Sequence, residues 1–198
     1  YVDFMSAVHT GTERDYLSRV NDAQYPKARA AELARQWGYD YWDGDRRINY
    51  GGYRYMEGRW EPVAPAMVDH YQLPDSPRIL DIGCGKGFLL FDFLKVLPDA
   101  QVYGIDISEY AITHAKTEIR NRLQLGSAVD LPWDDNTFDL VFSINTFHNL
   151  YNFELSQALR EIERVGKENK YICVESYRTE AEKVNLLYWQ VTCESFCT

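Results

Sequence analysis

The sequence predicts an α/β fold, with a doubly wound and mostly parallel sheet that follows an N-terminal cap of helices and aromatic residues. Two observations lead to this prediction. From residue 75 onward, short apolar runs alternate with helical patterns at intervals typical of parallel sheets. Between the first such strand and the first such helix, Gly83, Gly85 and Gly87 form a glycine-rich turn. We therefore divide the chain into a cap, residues 1–74, and a ligand-binding core, residues 75–198.

The length of 198 residues fits one core with an appendage, and a hydrophobic content of 45% predicts a globular chain. The sequence has no run of 18 apolar residues, and its first residues lack the charged-then-apolar pattern of a signal peptide. We therefore expect a cytoplasmic protein with no membrane partner.

Charge and cysteine content exclude further classes. Thirty acidic and 21 basic residues give a formal net charge of −9, which opposes binding to a phosphate backbone, so we expect no nucleic-acid partner. Cys84, Cys173, Cys193 and Cys197 have no C-x-x-C spacing. They are interpreted as free thiols, and we expect no metal site.

In the cap, Thr10 and Glu13 are spaced like a capping box at the start of a short helix, and a second helix is predicted over residues 26–37. Residues 39–60 then place tyrosine and tryptophan among Asp, Arg and Gly with no regular period, which predicts an extended segment. Two interpretations stay open. The segment is either a strap packed against the core, or a lid that covers the ligand and forms one wall of a substrate pocket.

Apolar periodicity and turn residues predict the remaining elements in order. The predicted helices cover residues 63–71, 88–97, 109–120, 153–165 and 180–194, and the predicted strands cover residues 79–81, 101–106, 123–128, 138–145 and 170–176.

The spacing of the glycines discriminates between nucleotides. A dinucleotide fingerprint would place its third glycine at position 88, which is Phe88, and a P-loop would need Ser or Thr after Lys86, where the chain has Gly87. NAD and ATP are therefore disfavoured.

Four features together resemble the class I S-adenosylmethionine-dependent methyltransferases, in the branch of small-molecule enzymes. Asp81 precedes the G-x-G-x-G turn, Asp106 ends the second strand, Asp130 follows the third, and residues 134–145 resemble the fourth-strand motif. The resemblance covers about residues 78–176. It implies a Rossmann-like sheet and S-adenosylmethionine as the cofactor.

The resemblance also implies roles for single residues. Asp106 is expected to bind the ribose hydroxyls, although it could merely cap the next helix, and Asp130 to bind the adenine amino group, although it could be a turn aspartate. Asp81 is expected to bond the turn amides or reach the cofactor's amino group through water. The implied cofactor-binding residues are Asp81, Gly83, Cys84, Gly85, Gly87, Phe88, Asp106, Ile107, Asp130, Leu131, Asn145 and Tyr53.

The acceptor side is predicted from position at the carboxyl end of the sheet. His148, just past the fourth strand, is the candidate general base, with a hydrogen bond to the substrate as the alternative. Neutral Asn145 argues against a catalytic Mg²⁺ site. The candidate substrate-binding residues are Tyr50, Arg54, Asn149, Tyr151, Glu175 and Tyr177.

These features predict methyl transfer to an oxygen, nitrogen or carbon of a small polar metabolite. A protein methyltransferase, which should have an open groove, and a non-catalytic cofactor-binding regulatory module, which should lack room beyond the sulfonium, are the alternatives. The terminal strand hairpin that such enzymes usually have is not found after residue 176, where the pattern is helical. An exposed fifth-strand edge would favour pairing with another chain, so a homodimer is a possible assembly.

Overall fold

Five parallel strands form the centre of the protein in a computed structural model that describes residues 2–8 and 20–195. The strand order is β3-β2-β1-β4-β5, and the doubly wound prediction is confirmed. The strands are β1 Arg78–Ile82, β2 Gln101–Asp106, β3 Leu123–Leu125, β4 Phe138–Ile144 and β5 Gly166–Cys173. The helix predicted to begin at Thr10 lies outside the described residues.

Helices cover both faces of the sheet, and further helices lie in the segment that precedes it. Short 3₁₀ turns occur at Arg120–Arg122 and Phe147–Asn149. None of the helices in the described part of the chain is long and apolar enough to cross a bilayer. The helices are α1 Lys27–Ala34, α2 Tyr39–Trp42, α3 Val63–His70, α4 Phe88–Val96, α5 Glu109–Thr113, α6 Asn152–Val165 and α7 Glu180–Trp189.

The central strands β1 and β4 are mostly apolar because they bury side chains on both faces of the sheet, whereas the edge strand β5 is mostly polar. In β1, Ile79 belongs to the core that packs against α3 and α4, whereas Leu80 and Ile82 belong to the opposite core against α6. Phe93 of α4 and Ile162 of α6 mark the two layers. The sheet is thus the middle layer of three.

The register of the strands aligns their carboxyl ends. Ile82 of β1 pairs with Ile105 of β2, and Asp81 pairs with Phe142 of β4. The chain proceeds outward from β1 through β2 to β3, and then returns to the other side of β1 as β4. The strand order therefore reverses between β1 and β4, which is where α/β sheets form ligand crevices.

Several predicted elements differ in extent. Strand β3 ends at Leu125 instead of residue 128, because its partner β2 ends at Asp106. Strand β5 covers Gly166–Cys173 instead of residues 170–176, because it pairs with β4 from Phe138 to Ile144.

Helix α5 ends at Thr113 instead of residue 120, because the chain turns to bury Ile119 and the Arg120 guanidinium binds the carbonyl of Ala115 at 2.8 Å. The predicted loop 39–60 contains the short helix α2. Helix α7 ends at Trp189 instead of residue 194. The chain then becomes extended, and residues 190–192 are buried where they pack on the cap or line the cavities described below.

We expect Gly87→Ala to lower the free energy of unfolding by about 2–4 kcal/mol, because the residue has φ +72° and a Cβ would lie 2.4 Å from Ile119 Cδ1. Gly58→Ala is the matched control, since Gly58 has φ +80° but its Cβ would have no atom closer than 3.9 Å. Urea titration of both variants measures the difference. Equal losses would refute the steric requirement at Gly87.

Candidate functional site

The glycine turn between β1 and α4 is shaped by backbone bonds and by close neighbours. Gly83 and Cys84 donate their amides to the carbonyl of Ile105 in β2, at 2.8 and 3.2 Å. Gly83 has φ +78°, and a Cβ there would lie 2.1 Å from Thr146 Oγ1, beside β4. Only glycine combines this backbone conformation with so close an approach. The turn therefore joins three strand ends.

Asp106 binds the glycine turn directly. Its carboxylate accepts a hydrogen bond from the amide of Gly85 at 2.7 Å and from the amide of Ser108 at 2.8 Å, and the residue is only 8% exposed. Burial raises the pKa of Asp106, and the amide bonds oppose that shift. A carboxylate has about four acceptor positions, so the backbone amides leave acceptor capacity on Asp106 for a ligand hydroxyl.

A cavity of about 360 Å³ lies over the carboxyl ends of β1, β2 and β4. This volume falls in the range of small-molecule sites. Its walls come from the glycine turn, the end of β2, the loop after β3, the end of β4 and the cap. Its main lining residues are Trp42, Tyr50, Tyr53, Gly83, Cys84, Gly85, Asp106, Ile107, Ser127, Ala128, Asn145, Thr146, Asn149, Tyr151 and Thr192.

A second cavity, of about 460 Å³, adjoins the first and is more polar. The two cavities share lining residues from the cap, the glycine turn, the end of β4 and the chain after α7, namely Tyr41, Tyr50, Tyr53, Gly83, Cys84, Ile144, Asn145 and Thr192. The second cavity is further lined by Asn49, Arg59, Trp60, Asp81, Phe88, His148, Glu175, Trp189 and Gln190. The shared residues thus form a common boundary, and this boundary alone would separate a ligand in the first cavity from a ligand in the second.

Stacked aromatic rings form the cap side of that boundary. Trp42 and Tyr50 are parallel within 4°, with ring centroids 5.4 Å apart, and Tyr53 stacks on Phe88 at 5.0 Å. A Cβ on Gly85 would lie 2.9 Å from the Trp42 ring. The segment predicted to be either a strap or a lid packs on the glycine turn and also lines both cavities.

A buried ion pair fixes this aromatic segment to the glycine turn. Lys86, 5% exposed, places its ammonium 2.6 and 2.8 Å from the two carboxylate oxygens of Asp43 and donates to the carbonyl of Tyr53 at 2.7 Å. Asp43 also accepts from the amide of Tyr53 and from the hydroxyl of Tyr110. The Lys86 ammonium and these hydrogen bonds hold the pKa of Asp43 below its usual value, against the opposing effect of burial.

His148 lies in the 3₁₀ turn after β4 and is 3% exposed. The amide of Glu175 donates to its Nδ1 at 3.2 Å. A backbone amide can only donate, so Nδ1 carries the lone pair and Nε2 carries the proton of the neutral ring. Burial lowers the pKa of His148 to about 4. The ring can therefore donate a hydrogen bond through Nε2, but its lone pair is already engaged.

Two carboxyl groups give the second cavity an acidic character. Asp81, at the end of β1, is 6% exposed, and its pKa is raised well above its usual value by burial and by the nearby Asp106. Glu175, after β5, is half-buried. Arg59 lines the same cavity but is exposed to solvent. A cationic ligand would relieve the repulsion between the buried acids.

The described structure brings most of the predicted site residues together at the two cavities. Five of them do not line either cavity. Gly87 begins α4, Asp130 is exposed, Leu131 is buried with its amide bonded to Glu161 at 2.8 Å, and Arg54 and Tyr177 lie outside the cavity walls. The roles predicted for all these residues stay predictions.

Several cavity residues were not singled out from the sequence. The clearest are Trp42 and, from the chain after α7, Thr192. Asp43 and Lys86, which line neither cavity but attach the cap to the glycine turn, were not singled out either. The many aromatic residues around residue 42 in the sequence could have indicated a role for Trp42, but no short-range sequence pattern predicts that Asp43 pairs with Lys86. The described cysteines, Cys84, Cys173 and Cys193, are free thiols.

Comparison with known proteins agrees with this geometry. Residues 74–196 match a family model described as a methyltransferase domain. A demethylmenaquinone methyltransferase of Symbiobacterium thermophilum is 33% identical over 145 residues, covering 67% of this chain and 57% of the relative. A malonyl-acyl-carrier-protein O-methyltransferase of Legionella pneumophila is 34% identical over 96 residues, covering 46% of this chain and 33% of the relative.

Among solved structures, the PH0226 protein from Pyrococcus horikoshii superposes with a TM-score of 0.52 and 29% identity, covering 71% of this chain and 64% of that protein. The chain spans less than two thirds of the length of each of these three proteins.

Removing the buried ammonium tests the attachment of the aromatic segment. We expect Lys86→Met to lower the free energy of unfolding by about 2 kcal/mol, because it removes the hydrogen bonds of a buried ammonium to the Asp43 carboxylate and to the carbonyl of Tyr53, and to speed amide hydrogen exchange over residues 42–53. The matched control is Lys167→Met, which breaks the more exposed pair with Asp139 and should cost less than about 1 kcal/mol. Similar losses in both variants would contradict the attachment.

The buried imidazole should make stability depend on pH. His148 has a pKa of about 4 in the folded protein against 6.5 for the free side chain, so below pH 6.5 the unfolded state binds a proton that the folded state does not. Stability should therefore fall from pH 6.5 to 4, by up to about 3 kcal/mol. The measurement is an NMR titration of His148 with urea unfolding across this range, and His148→Asn should lack this component. A midpoint near 6.5 in the folded protein would refute it.

Proposed function

The chain belongs to the class I S-adenosylmethionine-dependent methyltransferases, and from that premise we propose that it transfers a methyl group from this cofactor to a small polar metabolite. The observation that carries the proposal is the pair of adjoining cavities at the carboxyl end of the sheet, one over the glycine turn and Asp106, the other beyond it. The cofactor supplies an electrophilic methyl group. The chain's own task is to hold the acceptor in line and exclude water.

The first cavity fits the cofactor. The glycine turn lets a ligand approach the main chain, and the acceptor capacity left on Asp106 suits a ribose hydroxyl. Ile107 and Tyr151 contribute apolar surface at the same cavity, where an adenine ring can pack. Asp130 is the proposed partner of the adenine amino group, although it lies outside the cavity wall in this structure.

The cofactor's methionine end suits the boundary between the cavities. Asp81 and Asp106 are both buried, and burial together with the nearby Asp106 raises the pKa of Asp81. When bound, the cofactor would bring the positive charge of its ammonium and sulfonium groups to these acids. We place Gly83, Cys84, Asn145, Tyr53 and Phe88 around it, since all five line the second cavity and all but Phe88 also line the first.

The second cavity supports a small acceptor. Its volume of about 460 Å³ gives room beyond the cofactor, which the regulatory alternative would lack. The rings of Tyr41, Tyr50 and Tyr53 line it from the cap side, whereas a protein substrate needs an open groove. Of the two roles weighed for His148, we propose the hydrogen bond from Nε2 to the acceptor, because the Nδ1 lone pair is occupied.

The remaining candidates divide by position. Tyr50 and Glu175 line the second cavity and Asn149 and Tyr151 the first, so we propose the first two as acceptor contacts and the others as contacts at the cofactor side. Arg54 and Tyr177 line neither cavity, so their substrate-binding roles stay predictions. The relatives named above act on chemically different acceptors, demethylmenaquinone and malonyl-acyl-carrier protein, so they do not identify the acceptor here.

Calorimetric titration tests the cofactor site. We expect S-adenosylmethionine and S-adenosylhomocysteine to bind and NADH not to bind. Asp106→Asn should weaken the adenosyl compounds by more than about tenfold, because charge-assisted hydrogen bonds are lost. Asp99→Asn, an exposed carboxylate in the turn before β2, is the control and should leave affinity unchanged. Unaltered binding by the Asp106 variant would refute the ribose assignment.

A further inference from the structure

The acceptor cavity combines aromatic faces with negative charge. Six aromatic side chains line it, namely Tyr41, Tyr50, Tyr53, Trp60, Phe88 and Trp189. Its charged lining residues in the described chain are Asp81, Glu175 and Arg59. Because Arg59 is exposed at the solvent side, its charge is screened more than the charges of the two acids. Aromatic faces and a carboxylate together bind organic cations.

The two acids face different ligands. Asp81 ends β1 at the glycine turn, beside the proposed cofactor, whereas Glu175 follows β5 on the far side of His148. The charge of Glu175 acts on the hydroxyls of Tyr41 and Tyr50, whose pKa values it helps to raise after the larger effect of burial. Glu175 therefore lies among the aromatic walls of the second cavity, where the acceptor is proposed to bind.

Within the residues that the structure describes, the candidate bases for a hydroxyl acceptor in the second cavity are His148 and the carboxylates of Asp81 and Glu175, and a carboxylate is too weakly basic to deprotonate an alcohol outright. His148 is the only histidine of the cavity in this part of the chain, and the Nδ1 lone pair is engaged by the amide of Glu175. The tyrosine hydroxyls are donors with raised pKa values. An alcohol would need a base to remove its proton, but a free amine carries its own lone pair and needs none.

We propose that the acceptor carries a basic amine, which Glu175 binds as a cation between the aromatic side chains of the second cavity. The inference rests on the proposed methyl transfer and specifies its substrate class. The amine first loses a proton to solvent. Its nitrogen lone pair then forms the new N–C bond, the electrons of the broken C–S bond return to sulfur, and the positive charge moves to nitrogen. Glu175 and the aromatic faces bind the ammonium form of the substrate and, after the transfer, the methylated ammonium of the product.

Matched amines and alcohols provide the test by binding alone. Propylamine, benzylamine, phenethylamine and tryptamine, and the four alcohols with hydroxyl in place of the amino group, are titrated into the full chain saturated with S-adenosylhomocysteine. We expect at least one amine to bind roughly tenfold tighter than its alcohol, as a charge-assisted bond predicts. Alcohols that bind as well as their amines, or no amine binding to the saturated protein, would overturn the inference.

Glu175→Gln keeps the shape of the side chain. It should weaken amine binding roughly tenfold, while the affinity for S-adenosylhomocysteine should stay within about twofold of that of the unmodified protein. Glu163→Gln is the control, because Glu163 is exposed on α6 and pairs only with Lys170. Retained amine preference in the Glu175 variant would overturn its role. If that variant does not fold, the comparison in the unmodified protein still decides.

The two proposals fail in distinguishable ways. A chain that does not bind S-adenosylhomocysteine contradicts the methyl-transfer proposal itself. A chain that binds it and methylates alcohols in preference to amines, as read by mass spectrometry of the products, keeps the proposed function and overturns the amine.

Discussion

A buried ion pair between Lys86 and Asp43 connects the two parts of this protein, and both cavities depend on it. Lys86 belongs to the glycine turn and Asp43 to the aromatic cap, 43 residues earlier in the chain. The same ammonium binds the carbonyl of Tyr53, so one side chain fixes both ends of the segment that covers the sheet. Removing one partner of a buried ion pair is destabilising, so the pair favours one position of the cap on the glycine turn.

Steric limits at the glycines reinforce that connection. Gly83 leaves room for Thr146, Gly85 for the ring of Trp42 and Gly87 for Ile119. The three glycines therefore give the backbone its left-handed conformations and also let the end of β4, the cap and the chain after α5 approach the turn. In this structure, the glycine spacing is as much a packing requirement as a ligand requirement.

Electrostatics then set what the cavities can bind. Asp81 and Asp106 lie buried near each other, and Glu175 adds a third carboxyl beyond His148. The imidazole does not compensate, because burial lowers its pKa to about 4. Rings of the cap surround these acids. The site is thus arranged for positive charge, first on a sulfonium and, in our proposal, then on an amine nitrogen.

The sequence by itself determined the fold class, a parallel sheet with helices on its faces, and the residues at several of its strand ends. Apolar runs, glycine turns and terminal acids such as Asp81 and Asp106 are local patterns, because a strand or a turn is defined by neighbours in the chain. The start of α4 at Phe88 and the extent of β2 were predicted from such patterns.

Only the tertiary structure decided the rest. The pairing of Asp43 with Lys86, the stacking of Trp42 on the glycine turn, the hydrogen bond from Glu175 to His148 and the early end of α5 join residues that are distant in sequence or respond to distant packing. Such contacts depend on how folded helices, strands and loops pack together, and no short-range sequence pattern predicts them. For this reason the position of His148 could be predicted, but the engagement of its Nδ1 could not.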